Sequence, residues 1–203
     1  MAVDDLALSL ASTIRHDGEG GLADDLTDIT GLRAWVVANT ALLADNAVAL
    51  ADPIELDQHA LRQVGELRKA IRALFARAVR PDPPSRADAH RLMPTDRAIE
   101  IINRAASKQP LITQLSWSDK GAPDRQLRTK PIAPAEQIAA GVARATIQLL
   151  TGPHAPDLRS CQAPRCVRYF IKDHPRQEWC KRSCGTRARV ARHYRRHHPV
   201  VAS

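Results

Sequence analysis

Cys161, Cys166, Cys180 and Cys184 are the only cysteines in this 203-residue chain. They form two close pairs, Cys161-x4-Cys166 and Cys180-x3-Cys184, separated by thirteen residues. Two short loops that each present two thiolates suit a tetrahedral metal, and zinc takes such a sulfur set at about 2.3 Å. Other cysteine chemistries fit less well. A redox pair favours CxxC, which neither loop has. Iron–sulfur clusters use different ligand runs. Disulfides need an oxidising compartment. The opening "MAVDDLALSLAST" has no basic stretch and carries Asp4 and Asp5 early, so it does not read as a secretory signal. The expectation is a cytoplasmic protein with a structural Zn2+ held by all four cysteines. With four protein ligands no position stays open for an activated water, so an enzyme is not expected.

Charge is concentrated beside those cysteines. Residues 153–203 carry 12 Lys+Arg and 3 Asp+Glu, whereas residues 1–152 are close to neutral. The segment after Cys184 has no proline as far as His198, and Ala188, Val190, Ala191 and Tyr194 offer it an apolar side. Arg189, Arg192 and Arg196 recur on one helical face, flanked by Arg187 and Arg195, with Lys181 and Arg182 near its start. About 15 residues of helix span roughly 22 Å and fit a B-DNA major groove. Arginine forks suit phosphates and guanine edges. Nucleic acid, above all double-stranded DNA, is the expected partner. RNA and an acidic protein surface are the alternatives.

A compact body must position this tail. Few aromatics (3%) and abundant Leu, Val, Ile and Ala favour helices. The most apolar window, 34–51, is interrupted by Asn39, Thr40, Asp45 and Asn46, so it reads as a buried helix and not a membrane span. Thr30 is its expected N-cap, and Asp52-Pro53 its end. Asp57 caps a second helix, stapled by Leu56 and Leu61, with Leu61, Val64, Leu67, Ile71, Leu74, Phe75 and Ala78 on one face. A third starts at Thr95 with Ile99 and Ile102 inward. Segments 111–118 and 125–132 read as a β-hairpin. A last body helix covers 134–151 and stops at Gly152, before a short linker at 152–156.

The body lacks GxGxxG, P-loop, GxSxG and HExxH patterns. "DGEGG" at 17–21 reads as a plain loop, and His16, His59 and His90 are isolated. Asp24, Asp25 and Asp28 read as loop and helix-start electrostatics. In the tail, "VRYFIK" is a strand signal, and Tyr169, Phe170 and Trp179 are expected to form the small core that the metal staples. Knuckle, hairpin, then a helix carrying the second cysteine pair is the order of a treble-clef-like module.

The Cys161/Cys166 knuckle, "YFIKD", "EWC" and "CGTRARVARHYRR" closely resemble the CGNR zinc-finger family, bacterial proteins regarded as transcriptional regulators. The signature departs at Thr186, where the family has Asn. "LALSLAST", "DDLTDITGLRAWV", "ALRQVGELRKAIRALF" and "ARATIQLLTGPHAPDLRSC" resemble the family's N-terminal partner, the ABATE domain. The resemblance implies a strand at 5–12 that joins the 111–132 hairpin in one sheet. The resulting expectation is an α+β chain. An ABATE-like helix-rich domain with a small antiparallel sheet covers 1–152. A CGNR-type zinc module ending in a basic helix covers 153–203. Such a regulator contacts DNA through its tail, while the body senses an effector or forms a homodimer. A protein-interaction adaptor is the competing reading.

Overall fold

The computed structural model describes residues 5–50, 54–90 and 92–197. Seven α-helices and three separate two-stranded antiparallel sheets make up the described residues. Helix α4 (Gln58–Ala78) is the central rod, packed against α5 (Thr95–Ser107) and α6 (Pro134–Thr151). Val64, Leu67, Ile71 and Phe75 of α4 are fully buried, and so is Ala70 beside them. Asp57 caps α4 as expected, accepting from the Ala60 amide at 2.8 Å. Ala78, expected inward, is exposed at the end of the helix. The bounds of α6 match the expected 134–151.

Residues 6–11 correct the sequence reading. They form a helix, α1 (Leu6–Ala11), capped by the Asp5 carboxylate on the Leu8 amide. The alternation of Leu6, Leu8 and Leu10 mimics a strand. Ala7 and Ala11 are buried as well, however, because the segment packs between α4 and α6 and is apolar nearly all round. It joins no sheet. The expected 111–132 hairpin does form, as β3 (Ile112–Ser116) and β4 (Asp124–Arg128), paired from Ile112↔Arg128 to Ser116↔Asp124. It stands alone, with Leu115 74% and Trp117 68% exposed. The first hairpin is β1 (Ile14–His16) with β2 (Leu22–Asp24), and "DGEGG" is its turn. There the Asp17 carboxylate accepts from the amides of Glu19, Gly20 and Gly21.

The expected long helix at 31–51 is two: α2 (Ile29–Ala38) and α3 (Thr40–Asp45). Asp28, not Thr30, caps α2. The break falls at Asn39, whose side-chain amide donates to the Trp35 carbonyl at 2.7 Å and accepts from the Ser9 hydroxyl at 2.6 Å. A short polar side chain that bonds its own backbone competes with helix continuation. Asp52-Pro53 lies outside the described residues. In α5, Ala98, Ile101 and Ile102 face the core, while Ile99 is 44% exposed, against expectation.

The supposed linker is a short 3-10 turn at 155–157 leading straight into β5 (Leu158–Ser160), which pairs with β6 (Tyr169–Ile171). Leu158, Tyr169 and Ile171 join the body core. Tyr169 therefore belongs to the body, not to the small metal-stapled core expected for it. Its ring meets Phe75 edge-on at 5.5 Å between centroids. Its hydroxyl donates to Asp88 at 2.7 Å and accepts from the Ser85 amide at 3.2 Å. Burial first, then the Asp88 carboxylate, pushes this phenol above its ordinary range, so it remains a donor.

Arg72 sits at the centre of that contact. Its guanidinium makes a two-pronged bond to Asp88, both arms at 2.9 Å. It also donates to the carbonyls of Ala11 and Val167 and to the Ser85 hydroxyl. One turn earlier, Arg68 makes a similar fork to Asp24 and reaches Thr13. Removing one member of a buried ion pair strands the other. Arg72→Leu is therefore expected to cost about 3–5 kcal/mol. Urea unfolding should show that loss, whereas Arg77→Leu, an exposed change on the same helix, should stay within about 0.5 kcal/mol.

Candidate metal centre and basic helix

The cysteines are brought together by three short devices. The first pair closes as a knuckle: the Cys166 amide donates to the Ala163 carbonyl at 3.0 Å, and Arg165 takes a left-handed conformation (φ 64°). The Cys161 amide donates to Arg168 across the base of the β5–β6 hairpin at 2.9 Å. The loop before Cys180 is pinned by Gln177, which accepts from the Asp173 amide and donates to the Trp179 carbonyl. Helix α7 (Arg182–His197) then begins, so Cys180 precedes its first turn and Cys184 lies within it. The Cys184 amide closes that turn onto Lys181 at 3.1 Å.

All four Sγ atoms lie within 4.8 Å of one another. Cys166–Cys180 and Cys180–Cys184 are both 3.6 Å apart. Sulfurs about 2.3 Å from a zinc in a tetrahedron are about 3.8 Å apart, whereas a disulfide needs about 2.05 Å. The spacing thus fits four ligands around one ion, and all four thiols are free. Cys161, Cys166 and Cys184 are buried. Phe170 and Trp179 pack against them as expected, and the Trp179 ring lies close against Gly185, where a Cβ would come within 3.1 Å.

The thiols' protonation supports the same fit. Hydrogen bonds from Cys161 and then Cys180 hold Cys166 far below the ordinary thiol range. Cys161 is pushed up by its bond to Cys166, and Cys180 by its bonds to Cys161 and Cys166. Thiols this close oppose one another's ionisation. A cation is what allows all four to ionise together.

The expected basic residues follow one helix. Lys181, Arg182, Arg187, Arg189, Arg192 and Arg196 are exposed. Arg195 lies in α7, and His198 is outside the described residues. The expected apolar side of the helix is not packed: Val190 is 64% and Tyr194 63% exposed. Among the described residues of α7, only Cys184, Gly185 and Ala188 are buried, so the helix is anchored at its base. Arg187 donates to the Cys184 sulfur at 3.1 Å, a partner the sequence reading did not assign it. Thr186 accepts from Arg189 at 3.2 Å and donates back to the Arg182 carbonyl. The residue that departs from the signature thus orients one of the face arginines. Among the described residues, Arg187, Arg189, Arg192 and Arg196 form no ion pair with a carboxylate.

A helical body whose core takes in a hairpin from a four-cysteine, zinc-finger-like module defines the class. The chain belongs to the ABATE family, whose model, described as "Putative stress-induced transcription regulator", matches residues 4–153. The CGNR zinc finger matches residues 158–197, which contain all four cysteines and α7. No curated protein matches the chain. Among the described residues, no helix is long and apolar enough to cross a membrane.

Because ionising the cluster releases protons, zinc affinity is expected to fall as pH falls. Isothermal calorimetry in buffers of different ionisation enthalpy should read proton release on zinc binding. Metal analysis should find one zinc per chain, and Cys184→Ser should retain zinc poorly against a competing chelator.

Proposed function

We propose that this protein is a zinc-dependent, DNA-binding transcription regulator. Cys161, Cys166, Cys180 and Cys184 hold a structural zinc, the body covers 1–152 and the zinc module 153–203. No step of chemistry is assigned to the metal. Four protein sulfurs leave it no open position, and its task is to fix the loop that launches α7. The observation that carries the reading is the arginine face of α7. Arg189, Arg192 and Arg196 are exposed on a helix tied at Cys184 to a buried cluster. Family membership as a regulator supports it.

Contacts of this kind are mostly to phosphate and position a protein more than they specify sequence. Affinity for a mixed-sequence duplex should therefore fall steeply with salt, by about 0.9 log units per log unit of salt for each phosphate neutralised. Fluorescence anisotropy of the zinc-loaded chain checks this. Arg189→Ala with Arg192→Ala should lower the slope by about two, and chelation should abolish tight binding. No duplex binding at low salt would overturn the reading. Retention of protein partners after nuclease treatment, lost in Arg189→Glu, would favour the adaptor instead.

A further inference from the structure

Beside the cysteine cluster, a cavity of about 200 Å3 lies between the β1–β2 turn, the first knuckle and the start of α7. Arg15, Arg165, Arg168, Lys181 and Arg187 line it, together with His16 and, on the cluster side, Cys166, Cys180 and Cys184. Among the described residues, only Arg15 of these five cations pairs with a carboxylate, Asp25 at 2.6 Å. Asp17 approaches the His16 ring at 3.9 Å. The thiolates explain part of this charge, since Arg187 donates to Cys184. Zinc with four thiolates carries two negative charges, so about two positive charges stay unanswered even when the metal is bound.

His16 adds an independent observation. The Gly18 amide donates to its Nδ1 at 2.7 Å, so Nδ1 is the acceptor nitrogen and Nε2 carries the hydrogen. That Nε2 is buried and has no hydrogen-bond partner among the described residues. A buried donor without an acceptor is a rare defect in a folded protein and marks a place where an acceptor belongs. Arg165 points the same way. It holds a left-handed backbone that glycine or asparagine adopts more easily. Its guanidinium reaches across to the Gly18 carbonyl at 3.3 Å, spanning the two sides of the cavity.

We propose that this cavity binds a phosphate group, gripped by Arg165, Arg168 and Lys181, toward which a small shift of the His16 ring brings its N–H. Several arginine forks and a neutral N–H match an anion that offers many acceptor oxygens. A water's share of liquid volume is about 30 Å3, so the cavity is roomy enough for a phosphate and a few waters. The site draws on the body, through β1, as well as on the zinc module. It does not rest on α7 binding DNA. A phosphate of a duplex backbone and a free phosphate ester present the same chemistry.

The test titrates the zinc-loaded full chain with inorganic phosphate at constant ionic strength, exchanged against chloride. Calorimetry and the His16 imidazole resonances are the readouts. The expected result is saturable one-to-one binding with Kd on the order of millimolar or tighter. Arg165→Gln with Arg168→Gln should weaken it about tenfold at unchanged zinc content, while Arg77→Gln leaves it unmoved. A second arm adds a mixed-sequence duplex. If phosphate competes with the duplex and the double variant also loses duplex affinity, the natural occupant is a backbone phosphate. If duplex affinity is unmoved while phosphate still binds, the occupant is a free phosphate. Phosphate binding by a chain that binds no duplex would sink the regulator reading and uphold this one. No saturable phosphate binding by the zinc-loaded wild type, or equal affinity in the double variant, overturns it.

Discussion

A guanidinium sealed inside a helical core must be answered from every side. At Arg72 the answers come from three parts of the chain. The α1 end gives a carbonyl, the loop after α4 gives Ser85 and Asp88, and the zinc module gives the Val167 carbonyl. The Tyr169 ring lies 5.3 Å from the cation and its hydroxyl shares Asp88. Each group is costly to bury alone and acceptable only when the others are present. Buried ion pairs are not strong stabilisers in themselves. Here the pair acts as a specification: only one mutual arrangement of α1, α4, the 85–88 turn and β6 satisfies it.

That arrangement determines what the metal cluster can do. The β5–β6 hairpin is planted in the body core, so the cysteines stand on a fixed base. From that base α7 projects with little burial after Ala188. Rigidity at one end and exposure along the rest let a helix present charge in a defined direction. The phosphate cavity depends on the same planting, because β1 of the body and the first knuckle each supply part of its wall.

Much of this was legible in sequence. The cysteine spacing announced the cluster because metal ligation tolerates few alternatives. The starts of α4 and α5, at Asp57 and Thr95, and the end of α6 at Gly152 were readable from local signals. The rest depended on partners distant in the chain. Residues 6–11 alternate like a strand, and only the surrounding helices make them helical. Asn39, where α2 ends, is also held by the Ser9 hydroxyl, thirty residues away. Tyr169 looked like metal-core material because sequence gives an aromatic no direction. Arg72 and Asp88 gave no local signal of their pairing. The cavity residues are scattered from Arg15 to Arg187, and each is an ordinary surface basic residue until the hairpins meet.

The three residues of β6 face two different interiors. Tyr169 and Ile171 look into the helical body, and Phe170 looks toward the sulfurs. Shifting the strand by one residue would turn each side chain to the opposite face. A phenol would then lie among thiols, and a bare benzyl ring would sit against the Asp88 carboxylate. Neither interior accepts the other's side chain. This three-residue strand pair at the junction is therefore self-checking: its alignment is verified twice, once by charge and once by sulfur.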